Sequence, residues 1–172
     1  MPVDPSATAL TASVTGVLAL AAQARVQALA LTGIDSDKVV IRAVSWDANL
    51  KPPYVIIRPA PEIINPDWGS TDGNDLEFAF IISLILANPE TGLTEIGLPL
   101  LWRDSIRWDM QNKGNATWQF GGVGGTFPRT GINFLRSKIV DGEPFIEEAQ
   151  KRGYNAQYLA LRMYARESRS GS

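Results

Sequence analysis

The sequence predicts an α+β fold, in which a mostly antiparallel sheet of four to five strands packs against a long N-terminal helix and a second, central helix. Residues 54–58 and 76–87 are apolar and flank a loop rich in Pro, Gly and Asp, as in a β-hairpin. Residues 156–166 alternate with the period of two of a strand. Among 172 residues, 45% are hydrophobic and 20% charged, so we expect one domain over residues 1–172.

The N-terminal helix is predicted over residues 5–31. Asp4 and Pro5 form a favourable helix start, and Gly33 is a favourable stop. The apolar side chains between them, with many alanines, leave little polar face. We therefore expect the sheet, a neighbouring subunit, or both to cover this helix.

The strand over residues 76–87 is the longest predicted strand. Its twelve residues exceed the usual five or six, and both of its faces are mostly apolar. A domain of this size is expected to leave part of such a strand for contact with another subunit.

The remaining elements follow from periodicity and from breaker residues. Pro99 either starts or kinks the central helix. The predictions are a strand over residues 38–44, the central helix over 93–113 with Leu98, Leu101, Trp102, Ile106 and Met110 on one side, a flexible Gly-rich loop over about 113–131, a strand over 132–140, a short helix from Glu143 to Gly153, the final strand over 156–166, and a frayed tail over 167–172.

The charges are unevenly distributed. The net charge of −2 argues against a protein that depends on neutralising nucleic-acid phosphates. Residues 59–102 hold seven acids and no Lys or Arg, whereas the rest of the chain holds sixteen bases and eleven acids. This division predicts an acidic and a basic surface suited to head-to-tail contacts, or solvated loop charges.

Residues 10–31 contain a single charge, Arg25, and invite comparison with a signal peptide or a membrane span. No base precedes them, and several polar residues interrupt them, so we expect no membrane role.

The sequence predicts no catalytic, cofactor-binding or metal-binding residue. The chain has no Cys and no His, which removes thiolate nucleophiles, the usual zinc ligands and histidine bases. The Gly-rich run over residues 120–126 lacks the Gly-Lys-Ser/Thr ending of a phosphate-binding loop. The acids Asp67, Asp72 and Asp75 lack the spacing of a calcium loop.

An interface is predicted instead at exposed apolar side chains. Trp68 lies in an Asn-Pro-Asp-Trp-Gly loop, and Ile63 and Ile64 would join it as an apolar knob. Trp118 and Phe120 lie in the Gly-rich segment, which we expect to be mobile in the free subunit and ordered by its neighbours.

The order of these elements resembles the tail terminator proteins of long-tailed bacteriophages, and more broadly the neck or head–tail joining proteins. The resemblance covers nearly the whole chain. It is carried by the capped first helix, the Pro-Pro-Tyr-Val-Ile-Ile-Arg-Pro segment, the strand over residues 76–87, the Leu-Leu-Trp-Arg-Asp-Ser-Ile-Arg helix and the final alternating strand.

The resemblance implies a structural virion protein without enzymatic activity, made in the host cytoplasm and located in the tail or neck. Such a subunit would form a homo-oligomer, a hexameric ring that caps the tail tube protein and binds the head–tail connector or head-completion protein. Viral DNA would pass through the ring without sequence-specific binding. Alternatives are another tail-completion, neck or contractile-injection cap protein and, from another class, a small carboxylate-dependent enzyme.

Overall fold

The computed structural model describes residues 10–44, 49, 51–61, 63–65, 73–87, 92–118, 120, 131–141 and 153–168. Its helices are α1 (Val14–Ala28), α2 (Gly92–Met110) and α3 (Asn115–Trp118), with a 3-10 turn over Ser36–Lys38. Its strands are β1 (Val39–Ile41), β2 (Tyr54–Pro59), β3 (Ile63–Asn65), β4 (Gly73–Ala87), β5 (Ile132–Asp141) and β6 (Tyr154–Ser168).

The six strands form one sheet in the order β1-β2-β4-β6-β5, and β3 also pairs with β4. Every pairing is antiparallel except that of β1 with β2. β2 pairs with residues 80–85 of β4 and β3 with residues 75–77, so the sheet is five strands wide. The predicted α+β class with a mostly antiparallel sheet is confirmed.

The predicted hairpin is present, and the loop between its two strands contains an additional short strand, β3. β2 and β4 pair antiparallel, as the two apolar stretches predict. β3 lies within the predicted loop, and its three residues are too few to show an alternation in the sequence.

β4 and β6 are the long central strands, with fifteen residues each. They pair over their whole length, from Gly73 opposite Ser168 to Ala87 opposite Tyr154. The predicted frayed tail is therefore wrong for Glu167 and Ser168, which continue β6 because β4 and β5 offer backbone partners there. Residues 169–172 lie outside the described part.

The main core lies between one face of the sheet and the helices. α1 packs on β1 and β2, whereas α2 packs on β4, β5 and β6. Alternate residues of β4 point into this core, from Leu76 to Leu86, as their period of two predicts. They meet Leu18, Ala22 and Val26 of α1 and Trp102, Ile106 and Met110 of α2.

α1 is shorter than the predicted helix over residues 5–31. Leu10 to Ala12 are helical, but Ser13 interrupts the helix and caps α1 by accepting a hydrogen bond from Gly16 N. A Cβ on Gly16 would lie 2.0 Å from the Leu10 carbonyl oxygen, so this packing requires glycine. The helix ends at Ala28, before the predicted stop at Gly33, and Ala30 adopts a left-handed conformation (φ 45). The predicted start at Asp4 and Pro5 lies outside the described residues.

Residues 111–113 close the β5 edge of the sheet. Asn112 N donates to the Ser137 carbonyl, Ser137 N donates to the Lys113 carbonyl, and Ile139 N donates to Gln111 Oε1. A bulge at Leu135 interrupts the pairing of β5 with β6 further along. Because these backbone groups are already paired, this part of the edge is protected against strand addition.

The Ser137 side chain joins this edge to the core. Its Oγ donates to the Met110 carbonyl at 2.5 Å and accepts from Trp118 Nε1 at 2.9 Å. Trp118 stacks on Phe120, and Phe120 meets Phe134 edge to face with ring centroids 4.8 Å apart. Residues 113–118 and 120 therefore belong to the folded subunit and not to a flexible loop, while residues 121–130 lie outside the described part.

Replacing Ser137 by alanine is expected to lower the free energy of unfolding by about 1–3 kcal/mol, because the buried Trp118 N–H and Met110 carbonyl lose their partner. Urea unfolding measures this loss. Ser105→Ala is the matched control, since the Ser105 hydroxyl bonds to the Leu101 carbonyl at an exposed site. Equal losses for the two variants would contradict the role assigned to Ser137.

The predicted short helix over residues 143–153 lies outside the described residues except for Gly153. Gly153 lies in a turn. In the part of the chain that is described, none of the helices has the length and apolarity needed to cross a membrane.

Candidate assembly interface

The outer side of α2 carries a row of exposed residues that we call the α2 stripe: Gly97, Leu100, Leu101, Asp104 and Trp108. Their spacing of three and four residues places them on one side of the helix. Trp102, Ile106 and Met110 face the core and are fully buried. α2 therefore has two apolar sides, of which the sheet covers only one.

Trp108 is the most exposed large hydrophobic residue of the stripe, at 81%, and Leu100 and Leu101 are about half exposed. Isolated exposed apolar residues are common, but a clustered apolar patch that includes a tryptophan is typical of an interaction site. Asp104 lies within the cluster and is also exposed. The stripe offers a partner an apolar surface with one negative charge.

The sequence contained the signal for this stripe, and our prediction misread it. We expected Leu101 on the same side as Trp102, whereas Leu101 is 51% exposed and Trp102 is fully buried. At about 100° per residue, Trp108 falls about 20° from Leu101 and about 120° from Trp102. A helical projection that treats the two tryptophans separately would have identified the stripe.

The second surface is the face of the sheet turned away from α1 and α2, which we call the outer face. All four tyrosines of the chain lie in strands on this face: Tyr54, Tyr154, Tyr158 and Tyr164. At the β2 end, a small apolar cluster of Ile56, Ile85 and Ala156 is buried beneath three of them. None of the described helices packs on this face.

The β5–β6 patch is the basic end of the outer face and comprises Arg136, Lys138, Arg162, Tyr164 and Arg166. Arg136 is paired with Tyr164 and Lys138 with Arg162 across the two strands, so these side chains share one face. The Arg136 guanidinium lies over the Tyr164 ring, 5.4 Å from its centroid.

Two acids of β4 partly neutralise this patch. Arg162 Nη1 lies 2.9 Å from Glu77 Oε1. Arg166 donates to both oxygens of Asp75, at 2.8 and 3.2 Å, and these hydrogen bonds hold the pKa of Asp75 below its ordinary value. Four cations against two carboxylates leave the patch positively charged.

The predicted separation into acidic and basic surfaces is therefore wrong for Asp75 and Glu77. Both belong to the acidic segment over residues 59–102, yet β6 brings its arginines directly beside them. Glu62, Asp67, Asp72 and Glu90 lie outside the described residues, and the side chain of Glu95 is not described.

A cavity of about 530 Å³ lies between α1 and the α2–α3 junction. Apolar residues of α1, including Leu20 and Ala24, form one wall, and Trp118 and Phe120 form another. Arg25, at its rim, donates two hydrogen bonds to Asp109 and one to the Thr117 carbonyl, and lies 5.1 Å from the centroid of the Trp118 ring. The donors of Arg25 are largely engaged, so the cavity is chiefly apolar.

The structure places the predicted interface residues in different surroundings. Trp118 and Phe120 are 4% and 1% exposed within their own subunit, so their assignment to an interface is wrong, because the turn through residues 111–114 folds them onto β5. The backbone of Ile63 and Ile64 belongs to β3, but their side chains are not described. Trp68 lies outside the described residues.

Comparisons with known protein families and with curated proteins found no match to this chain. Among the residues that the structure describes, no group of three or more metal-ligating side chains could hold an ion.

Proposed function

We propose that this protein is a structural subunit of a hexameric tail terminator ring at the neck of a long-tailed bacteriophage. The exposed α2 stripe carries the proposal. Leaving Trp108 and two leucines in water is unfavourable for a monomer, whereas an interface would bury them.

The long strand β4 is covered within its own subunit. We expected the long central strand to require a neighbouring subunit, but β2, β3 and β6 cover both edges of β4, and the helices cover one of its faces. The length of β4 therefore no longer argues for assembly. The surfaces that a neighbouring subunit would cover are instead the α2 stripe and the outer face.

A ring of more than two copies requires two different contact surfaces on each subunit, because each copy meets its neighbours through unlike patches. The α2 stripe and the outer face meet this requirement, since they differ in chemistry and lie on opposite sides of the sheet. In the proposed neck, further surfaces of the ring would contact the tail tube protein and the head–tail connector. Viral DNA would pass through the central opening.

Trp108→Ala is expected to weaken self-association by about 2 kcal/mol or more, roughly thirtyfold in the dissociation constant, which is the usual loss at an interface hot spot. Sedimentation velocity over a concentration series measures the change. Val44→Ala is the matched control, because Val44 is an exposed apolar residue outside the stripe, at 51%. Identical association of the wild type and Trp108→Ala would remove the stripe as support for the ring.

A further inference from the structure

We infer that the α2 stripe of one copy docks on the β5–β6 patch of the next copy, in a head-to-tail contact. This inference rests on the proposed ring and names its subunit interface. The partner of each surface is thus a second copy of this chain.

The positions of the two surfaces determine the type of contact. Leu161, Met163 and Ala165 of β6 lie in the main core with Trp102 and Ile106 of α2. The β6 residues that alternate with them, among them Arg162 and Tyr164, must point away from α2. A contact between the stripe and the patch therefore leaves a free patch on one copy and a free stripe on the other, so it propagates until a ring closes.

The chemistry of the two surfaces is complementary. Trp, Arg and Tyr are the residue types enriched at interface hot spots. The stripe contains Trp108, and the patch contains Arg136 stacked on Tyr164. An indole packs well against a guanidinium plane. Asp104 supplies a carboxylate for Lys138, which is exposed and has no ionic partner among the described residues.

The β5–β6 end of the outer face is long enough for this contact. The stripe extends about 17 Å along α2, at 1.5 Å per residue. β5 and β6 have ten and fifteen residues and extend about 33 Å and 50 Å, at about 3.3 Å per residue. The contact lies at this end because Ile56, Ile85 and Ala156, elsewhere on the face, are already buried.

The cavity beside α1 is a less suitable acceptor for the stripe. Asp109 of α2 contributes to its lining, so the cavity lies on the same side of the sheet as the stripe. A stripe and an acceptor on the same side of the subunit can form one self-complementary surface, and two copies of such a surface make a two-fold contact that closes at a dimer. The donors of Arg25 are also engaged within the subunit and offer little to Asp104.

A mixing experiment with two variants tests the contact. Trp108→Asp disables the stripe, and the double variant Arg136→Glu with Lys138→Glu disables the patch. All three residues are exposed, and circular dichroism verifies that each variant is folded. Val44→Asp is the control and is expected to assemble like the wild type.

Each disabled variant alone is expected to be monomeric, with at least a hundredfold loss of association. An equimolar mixture is expected to give a 1:1 heterodimer of two 18.7-kDa chains and nothing larger, because only one stripe and one patch remain intact. Native mass spectrometry with one isotopically labelled variant identifies this species.

Self-association of the patch variant at wild-type strength would overturn the inference, and so would a mixture that stays monomeric. A wild-type protein that is monomeric at every concentration would also overturn it. If the mixture stays monomeric while the wild-type protein still forms a ring, this contact is wrong. The proposed ring then forms through other surfaces. If the mixture gives the heterodimer but the wild-type protein forms open-ended filaments, the contact is supported and the closed ring is excluded.

Discussion

Trp102→Ala is expected to lower the free energy of unfolding by about 3–5 kcal/mol, the usual cost of removing a fully buried tryptophan. Trp102 is completely buried between α2 and the sheet, and its Nε1 donates to the Thr32 carbonyl at 2.9 Å. Thr32 is exposed, so water can replace the lost donor. The cavity left in the core therefore dominates the cost, with the hydrogen bond a smaller part.

Trp108→Ala provides the matched control, with the same substitution six residues along the same helix. Because Trp108 is 81% exposed, its loss is expected to change the stability of the monomer by less than about 0.5 kcal/mol. Urea unfolding of both variants, at concentrations where each is monomeric, gives the comparison. Similar losses for the two would contradict the assignment of one tryptophan to the core and the other to the surface.

Arg162→Met is expected to destabilise the monomer by about 2 kcal/mol, because it removes the cation facing a buried carboxylate. Glu77 is 5% exposed, and Arg162 Nη1 approaches its Oε1 at 2.9 Å. Breaking a fully buried pair costs about 3–5 kcal/mol. The expectation here is smaller because the Arg162 side chain is 42% exposed, and water weakens the interaction.

A double-mutant cycle separates this charge effect from lost packing. Adding Glu77→Gln to Arg162→Met should restore most of the stability, because a neutral amide is less costly to bury than an unpaired carboxylate. The measurements belong in a Trp108→Ala background, so that assembly does not alter the apparent stability. An Arg162→Met variant as stable as its background, or no recovery in the double variant, would contradict the role of this pair.

The strands were the most predictable part of the fold. β4, β5 and β6 each agree with their predicted ranges to within about three residues at either end, because alternation identifies half-buried strands well. The ends of α1 were less predictable. Its start is set by the Ser13 cap and by the close approach of Gly16 to the Leu10 carbonyl, whereas our prediction chose Asp4 and Pro5. Its end is set by a left-handed Ala30, which has no clear sequence signal.

The candidate interface was predicted poorly, and tertiary packing explains why. Trp118 and Phe120 lie next to a Gly-rich run, which suggested a mobile loop, but Ser137 on a distant strand supplies the partner that fixes Trp118. The pairing of Asp75 and Glu77 with arginines of β6 likewise depends on strand register, which local composition does not reveal. In contrast, helical geometry alone was enough to predict the exposure of Trp108, and our prediction missed it.

Closure of identical subunits into a ring can be observed by native mass spectrometry of the wild-type protein, alone and with the tail tube protein. We expect one dominant species of six 18.7-kDa subunits in at least one of these conditions. A monomer in both, or an open-ended series of oligomers without a preferred number, would contradict it.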